Sequence, residues 1–271
     1  MKKELLKAAF QEDFADLGDI TGEAIFSDEI DTFKLISKDT GILCGINEFI
    51  EVIRSIDASI TYKEFYQDSD MINKGDLIAE ISGKVSSILK AERAALNILS
   101  HLSGIATKTN NFVKAATERS TILDTRKTLP GLRELQKYAV RCGGGQNHRM
   151  GLYDMVMIKD NHIDAAGGID KAVNKVRSRW VTRFQIEVET RNLDEVQQAI
   201  DCKADRIMLD NMDNQMTFQA VKLISGRCET EASGNMTIER ISQVAETGVD
   251  YISVGELTHT VKAFDFSLRK K

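Results

Sequence analysis

Proline is almost missing from this chain: Pro130 is the only one in 271 residues. No Pro/Gly/Ser-rich tract or low-complexity stretch interrupts it, so nothing reads as a flexible linker. Cysteine is sparse as well, and Cys44, Cys142, Cys202 and Cys228 lie far apart with no CxxC spacing. That excludes a disulfide framework or a paired-thiol zinc site, and leaves reduced core thiols of a cytoplasmic protein. No apolar run approaches the roughly 18 residues of a membrane span. The opening Met1-Lys2-Lys3-Glu4 turns polar too soon for a signal-peptide core. Excess positive charge is also absent. A net charge of -5 argues against a general nucleic-acid binder, which would carry a basic face. It does not argue against a small anion held by a local cluster of cations.

Such a cluster is present. Over about forty residues the chain reads Asp124-Thr125-Arg126-Lys127-Thr128-Leu129-Pro130-Gly131, then Gly143-Gly144-Gly145-Gln146-Asn147-His148-Arg149, then Ile158-Lys159-Asp160-Asn161-His162. Arg126, Lys127, His148, Arg149 and Lys159 are gathered against an acidic background. An isolated Arg-Lys pair would read as solvated surface. Several cations close behind short apolar runs read instead as a pocket for a small polyanion, because guanidinium binds carboxylate and phosphate bidentately and lysine adds a point charge.

The surrounding pattern places those runs. Short apolar segments occur at Ile122-Leu123, Met155 to Ile158, Phe184 to Val188, Ile207 to Leu209 and Tyr251 to Val254, with a weaker one at Glu229 to Ala232. Between them Ile169, Ala172, Val173 and Val176 follow the spacing of one helix face. So do Leu193, Val196 and Ile200 behind Asn192, then Met216, Ala220, Leu223 and Ile224, then Ile238, Ile241 and Ala245 behind Thr237. Strand and helix alternating in this way predict parallel βα units, and six successive polar strand ends favour a barrel over a doubly wound sheet. Before residue 113 the pattern differs. A short helix at residues 3–10 and strands at Phe33 to Ile36 and Ile42 to Cys44 precede an amphipathic helix, Ile46 to Ile56. Strands at Ile60 to Phe65 and Leu77 to Ile81 flank an Asn73-Lys74-Gly75-Asp76 turn. A long helix then runs from Ser87 through Leu102 with a break near Gly104. The expected organisation is an α/β sandwich domain over residues 1–112 and an incomplete α/β barrel over 113–271, its tail packing back on the first domain.

Glu189 and Asp210 each end a strand and would face one barrel mouth, where two carboxylates can hold Mg²⁺ through water or bind sugar hydroxyls. Ser233-Gly234-Asn235 and Gly255 follow the last two strands, a common phosphate position in barrels. The triple glycine matches neither a Walker loop nor a GxGxxG fingerprint. His148 and His162 lack metal-ligand spacing, which points to structural roles.

Taken together, these motifs resemble quinolinate phosphoribosyltransferase over nearly the whole chain. The resemblance is carried by Glu12-Asp13 with Leu17-Gly18-Asp19-Ile20-Thr21, Ala91-Glu92-Arg93-Ala94-Ala95-Leu96-Asn97, Leu102 to Thr107, the three clusters above, and Tyr138-Ala139-Val140-Arg141. It continues in Glu187-Val188-Glu189, Leu209-Asp210-Asn211, Glu231-Ala232-Ser233-Gly234 and Ser253-Val254-Gly255. It implies a Mg²⁺-dependent reaction of quinolinate with phosphoribosyl pyrophosphate, giving nicotinate mononucleotide, pyrophosphate and carbon dioxide. The same resemblance implies a cytoplasmic homodimer with shared sites, with higher assembly left open. By that resemblance Arg93, Arg126, Lys127, His148, Arg149 and Lys159 hold the substrate, and Glu189 and Asp210 serve the ribose and metal side. Ser233, Gly234 and Gly255 form the 5-phosphate loops, Asn235 and His259 are further substrate-binding residues, and Lys127, Lys159, Glu189 and Asp210 are the catalytic set. Asn235 stands where the family usually has a second glycine; asparagine tolerates positive φ better than most residues. The alternatives are a related protein encoded beside molybdate transporters, a Schiff-base aldolase using Lys127 or Lys159, and a non-catalytic anion-binding protein.

Overall fold

The computed structural model describes residues 3–271, so the polarity argument at Met1 and Lys2 lies outside the described residues. Contacts divide the chain into two compact units. One comprises the chain up to Lys108 with Leu129–Gly144 and Thr260–Lys271, the other Thr109–Thr128 with Gly145–His259. The division falls at 108/109, four residues before the expected 112/113, and the chain returns to the first unit twice.

The first unit contains α1 (Lys3–Phe14), α2 (Ile20–Ile25), β1 (Ile30–Ser37), β2 (Gly41–Ile42), α3 (Ile46–Ile56), β3 (Thr61–Glu64), β4 (Met71–Ile72), β5 (Leu77–Lys84) and most of α4 (Val85–Ala115). It also holds α5 (Arg133–Cys142) and the strand Phe266–Lys270, numbered β12. Its main sheet is antiparallel in the order β12-β1-β5-β3. Helix α3 forms because Ile46, Phe49, Ile50 and Ile53 recur on one buried face. Asp68 accepts the N–H groups of Gly45 and Ile46 at 2.9 and 3.0 Å, serving as a cap from a distant loop. The expected strand at Ile42 to Cys44 shortens to Gly41–Ile42, because Cys44 N–H turns to Ser103 Oγ at 3.0 Å.

Helix α4 is unbroken through Gly104, contrary to the expected interruption. A Cβ at Gly104 would press into the carbonyl of Lys262, so this glycine admits a neighbouring backbone rather than ending a helix. Helix α5 was not foreseen, and its side chains explain where it belongs. Gln136 Nε2 lies 2.8 Å from His101 Nε2 on α4, and Tyr138 donates its hydroxyl to Asp68 at 2.8 Å.

The second unit contains β6 (Thr121–Leu123), β7 (Val156–Ile158), α6 (Asp160–Ala166), α7 (Ile169–Trp180), β8 (Ile186–Thr190), α8 (Leu193–Asp201), β9 (Arg206–Asp210), α9 (Asn214–Ile224), β10 (Glu229–Ser233), α10 (Ile238–Ala245), β11 (Tyr251–Ser253) and α11 (Glu256–His259). All its strand pairs are parallel, in the order β6-β11-β10-β9-β8-β7. Each of β8 to β11 is added beside its predecessor in one direction. Right-handed crossovers then place the helices on one face and curl the sheet toward a barrel. β6 and β7 do not pair, so the barrel is open. Alternation within the strands sets the two faces. Ile186, Val188, Ile207 and Leu209 pack outward with residues of α7, α8 and α9 in one buried cluster. Glu187, Glu189, Arg206, Met208, Asp210, Glu229, Glu231 and Ser233 alternate with them and point the other way.

Candidate active site

The inner face of the sheet is charged where barrels usually carry branched aliphatics. Glu187 and Glu231 are fully buried, and each faces His148 Nε2, at 3.0 and 3.3 Å. Arg206 lies below, with Nη2 2.8 Å from Glu229, Nη1 3.2 Å from Glu231, and its guanidinium 4.1 Å from the Tyr251 ring centre. Burial pushes the Glu187 carboxyl up to about 7, and the neighbouring Glu231 adds to the rise. Glu231 itself is held below its ordinary value: burial works against the charge, but His148, Ser253 and Arg206 outweigh it. Burial alone would lower the His148 imidazole, yet Glu187 and Glu231 raise it to about 9. Its Nδ1 accepts the N–H of Arg149 at 2.7 Å. In the neutral ring that contact leaves the proton on Nε2, facing the two carboxylates.

Above this floor lies a cavity of about 790 Å³. Arg126, Lys127, His148, Arg149, Lys159, Glu189, Asp210, Ser233, Gly234, Asn235, Gly255 and His259 all line it, so twelve of the thirteen residues singled out in the sequence come together. Arg93 is the exception. It is exposed on α4, in the first unit. His148 is among the lining residues, but both ring nitrogens are engaged within the protein and its side chain is only 4% exposed. It therefore fixes its neighbours more than it offers a free cation.

The cations are individually mounted. Asp124, wholly buried at the end of β6, accepts His148 N–H at 2.9 Å and the Asn147 amide at 2.5 Å. The Arg149 guanidinium donates to the Met155 carbonyl at 3.0 Å. Burial lowers the Arg149 pKa, and the adjacent Arg126 lowers it further. Two guanidinium groups crowded in this way are relieved when an anion arrives between them. Lys159 Nζ lies 2.7 Å from Glu189 Oε2, and Lys159 N–H donates to His162 Nδ1 at 3.0 Å, which gives His162 the structural role expected of it. The Lys127 loop is fastened by Thr258, whose hydroxyl donates to the Lys127 carbonyl at 2.8 Å. A Cβ at Gly255 would stand 3.0 Å from Lys127 Cδ and 3.2 Å from His259 Nε2, so glycine there lets both side chains approach.

On the far side the turn after β10 adopts left-handed backbone at Gly234 (φ 92°) and Asn235 (φ 48°). Asn235 donates to the Asn211 amide oxygen at 3.3 Å, and Asn211 donates to Asp210 at 2.8 Å. Arg240 braces the turn, donating to the Gly234 carbonyl at 3.0 Å.

The sequence reading missed the supporting residues. Asp124, Glu187, Arg206, Glu231 and Asn211 have no role in the sequence pattern alone. A signal existed: Glu187 stands two residues before Glu189 on the same strand, and therefore on the same face.

An open α/β barrel whose mouth gathers cations, two carboxylates and glycine-bearing turns defines a transferase-like site for a multiply anionic substrate. Known proteins narrow that class. Residues 105–269 match the quinolinate phosphoribosyl transferase C-terminal domain family, and residues 19–103 the N-terminal domain family. A quinolinate phosphoribosyltransferase [decarboxylating] from Nicotiana tabacum is 43% identical over 286 residues, covering 98% of this chain and 81% of that protein. A probable nicotinate-nucleotide pyrophosphorylase [carboxylating] from Bacillus subtilis is 43% identical over 267 residues, covering 98% and 92%. The crystal structure of NadC from Streptococcus pyogenes superposes with a TM-score of 0.95 at 42% identity, covering 99% of this chain and 96% of that one. The nicotinate-nucleotide pyrophosphorylase of Francisella tularensis gives 0.95 at 45%, covering 99% and 95%. The chain belongs to the quinolinate phosphoribosyltransferase family, whose members are phosphoribosyltransferase enzymes.

Proposed function

We propose that the protein transfers the phosphoribosyl group of phosphoribosyl pyrophosphate to quinolinate, releasing pyrophosphate and carbon dioxide and leaving nicotinate mononucleotide. The observation that carries this reading is the crowding of Arg126 and Arg149, with Lys127 and Lys159, in the cavity that also holds Glu189 and Asp210. Quinolinate brings two carboxylates, enough to answer several cations through charge-assisted hydrogen bonds. Held there, its ring nitrogen attacks C1 of the ribose while the C1–O bond breaks and pyrophosphate leaves with the electron pair. The nitrogen becomes a pyridinium. The bond to the C2 carboxylate then breaks, its electron pair stays on C2 beside the positive nitrogen, and C2 takes up a proton. The protein orients the two reactants and stabilises charge; no covalent nucleophile is needed.

Glu189 and Asp210 suit Mg²⁺, being two hard oxygen donors at neighbouring strand ends that line one cavity. Among the described residues, the side chains close enough to enclose an ion unaided are His148–Glu187–Glu231 and Cys44–Asp68–Cys142, and neither group includes them. They would therefore act through water, with substrate phosphates completing the shell. Bound magnesium would supply positive charge where pyrophosphate departs. Ser233, Gly234, Asn235 and Gly255 would take the 5-phosphate, with N–H groups presented by the left-handed turn.

The same reading makes the protein a cytoplasmic homodimer. Exposed Leu17, Ile20, Ile25 and Ile30 offer apolar surface for a second copy to cover. Arg93 would bind a substrate carboxylate in the partner's barrel. The test is turnover with phosphoribosyl pyrophosphate and Mg²⁺, comparing quinolinate with nicotinate by release of pyrophosphate and carbon dioxide. Loss of one desolvated charge contact costs about 2 kcal/mol or more, so kcat/KM for quinolinate should exceed that for nicotinate at least ~30-fold. Equal values, or binding of phosphoribosyl pyrophosphate without turnover, would overturn the assignment.

A further inference from the structure

Two cysteines that the sequence keeps 98 positions apart meet inside the first unit. Cys44 follows β2 and is fully buried; Cys142 ends α5 and is 9% exposed. Their sulfur atoms and the Asp68 carboxylate all lie within 4.8 Å of one another. Both backbones are held in place. Cys44 N–H donates to Ser103 Oγ at 3.0 Å and its carbonyl accepts from the same hydroxyl at 3.1 Å. Helix α5 is tied by Tyr138 to Asp68, which in turn caps α3 immediately after Cys44. Asp68 already accepts three hydrogen bonds, and the two sulfurs adjoin each other beside it.

We infer that Cys44 and Cys142 form a dithiol that a peroxide converts to a disulfide within the first unit. The pair has the asymmetry such chemistry needs. A hydrogen bond from Cys44 lowers the Cys142 thiol to about 7 against its burial, with Ser69 and Tyr138 assisting. The partner Cys44 is raised. At pH 7 about half of Cys142 is thiolate, and thiolate is the nucleophile. It attacks one oxygen of hydrogen peroxide; the O–O bond breaks and hydroxide leaves, taking a proton to become water. Cys142 is then a sulfenic acid. Cys44 gives up its proton and attacks that sulfur, the S–O bond breaks, and a second water departs as the S–S bond forms. Two thiols lose two electrons and one peroxide is reduced to two waters. Closing to a bond of about 2.05 Å starts from two sulfurs that already adjoin. Cys202 and Cys228 serve as internal comparators. Both are more exposed, but burial raises their thiols.

The intact chain, treated at pH 7 with a small excess of hydrogen peroxide, is denatured, alkylated and digested with trypsin without reduction. Mass spectrometry should find the peptide Asp39–Arg54 joined to Cys142–Arg149, and titratable thiols should fall from four to two. The Cys44→Ser variant should instead trap a dimedone-reactive sulfenic acid at Cys142. Oxidation of Cys202 or Cys228 while the 44/142 pair stays reduced would overturn the inference. So would four free thiols after treatment.

Discussion

Removing Arg206 isolates the charged floor of the barrel for measurement. In the Arg206→Met variant the aliphatic stem survives, but Glu231 loses the guanidinium 3.2 Å away and remains fully buried opposite the equally buried Glu187. Glu229, 42% exposed, can turn to water and contributes little. Glu231 keeps His148 and Ser253, but His148 must also answer Glu187, and a buried carboxylate stripped of its guanidinium costs up to about 3–5 kcal/mol if it stays ionised. It has a cheaper route, which is to bind a proton. From its ordinary value of 4.5, protonation at pH 7 spans two and a half units at about 1.36 kcal/mol each, a ceiling near 3.4 kcal/mol. At pH 5.5 the same step costs only about 1.4 kcal/mol. The variant should thus lose ~3 kcal/mol at pH 7, a fall of about 6–12 °C in Tm, and recover more than half of it at pH 5.5. The sign follows from linkage: the variant's folded carboxyl is raised, so the deficit appears as pH rises above 4.5. Thermal melts and urea titrations at both pH values measure it. A loss below ~1 kcal/mol, or one identical at the two pH values, would refute the account of the floor as a network tuned by Arg206.

Further outcomes follow from the site. Asp210→Asn and Glu189→Gln should impair kcat with phosphoribosyl pyrophosphate more than they weaken quinolinate binding; unchanged kcat and Mg²⁺ dependence in both would make these residues structural. Gly234→Ala drives a methyl into the Asn211 amide at φ 92°, so KM for phosphoribosyl pyrophosphate should rise at least tenfold while quinolinate binding, followed by calorimetry, holds. Arg93→Ala and Arg126→Ala should each be nearly inactive, yet mixed dimers of the two should regain activity because one site then carries neither change. Mixed dimers no better than either parent would rule out a shared site. Burial lowers the His101 imidazole, so its neutral form stabilises the fold above about pH 6.5 and that contribution is lost as pH falls. His101→Gln, which can keep the contact with Gln136, should flatten the fall in Tm between pH 7.5 and 5.5.

Much of the barrel was legible because parallel βα units write their period into the chain. The run at Ile207 to Leu209 lies inside β9, and Asn192 caps α8 by accepting Glu195 N–H at 2.9 Å, as its position before the stripe implies. The run expected at Phe184 to Val188 lies two residues later, at Ile186–Thr190, because alternation continues through the glutamates after the apolar signal fades. Helix α3 appeared with the bounds read from its stripe. The elements that escaped owe their form to distant partners. Helix α5 draws on His101 and Asp68, and β12 exists by pairing with β1. At the site, cations following strands could be read as a pocket from one sequence. What could not be read was the support beneath them, since Asp124, Glu187 and Glu231 acquire meaning only when three strands come side by side.

The pairing of β12 with β1 has a consequence for synthesis. Between the end of β5 at Lys84 and the start of β12 at Phe266, a ribosome adding ~5–20 residues per second works for roughly 10–40 s. Throughout that interval β1, with Phe33 and Leu35 among its residues, has β5 on one side and no strand on the other. A bare edge of that kind is a template for pairing with another nascent copy. Cells making this protein quickly would therefore face their aggregation hazard in the N-terminal sheet, and slowing translation would prolong it. The sheet begun first is completed last.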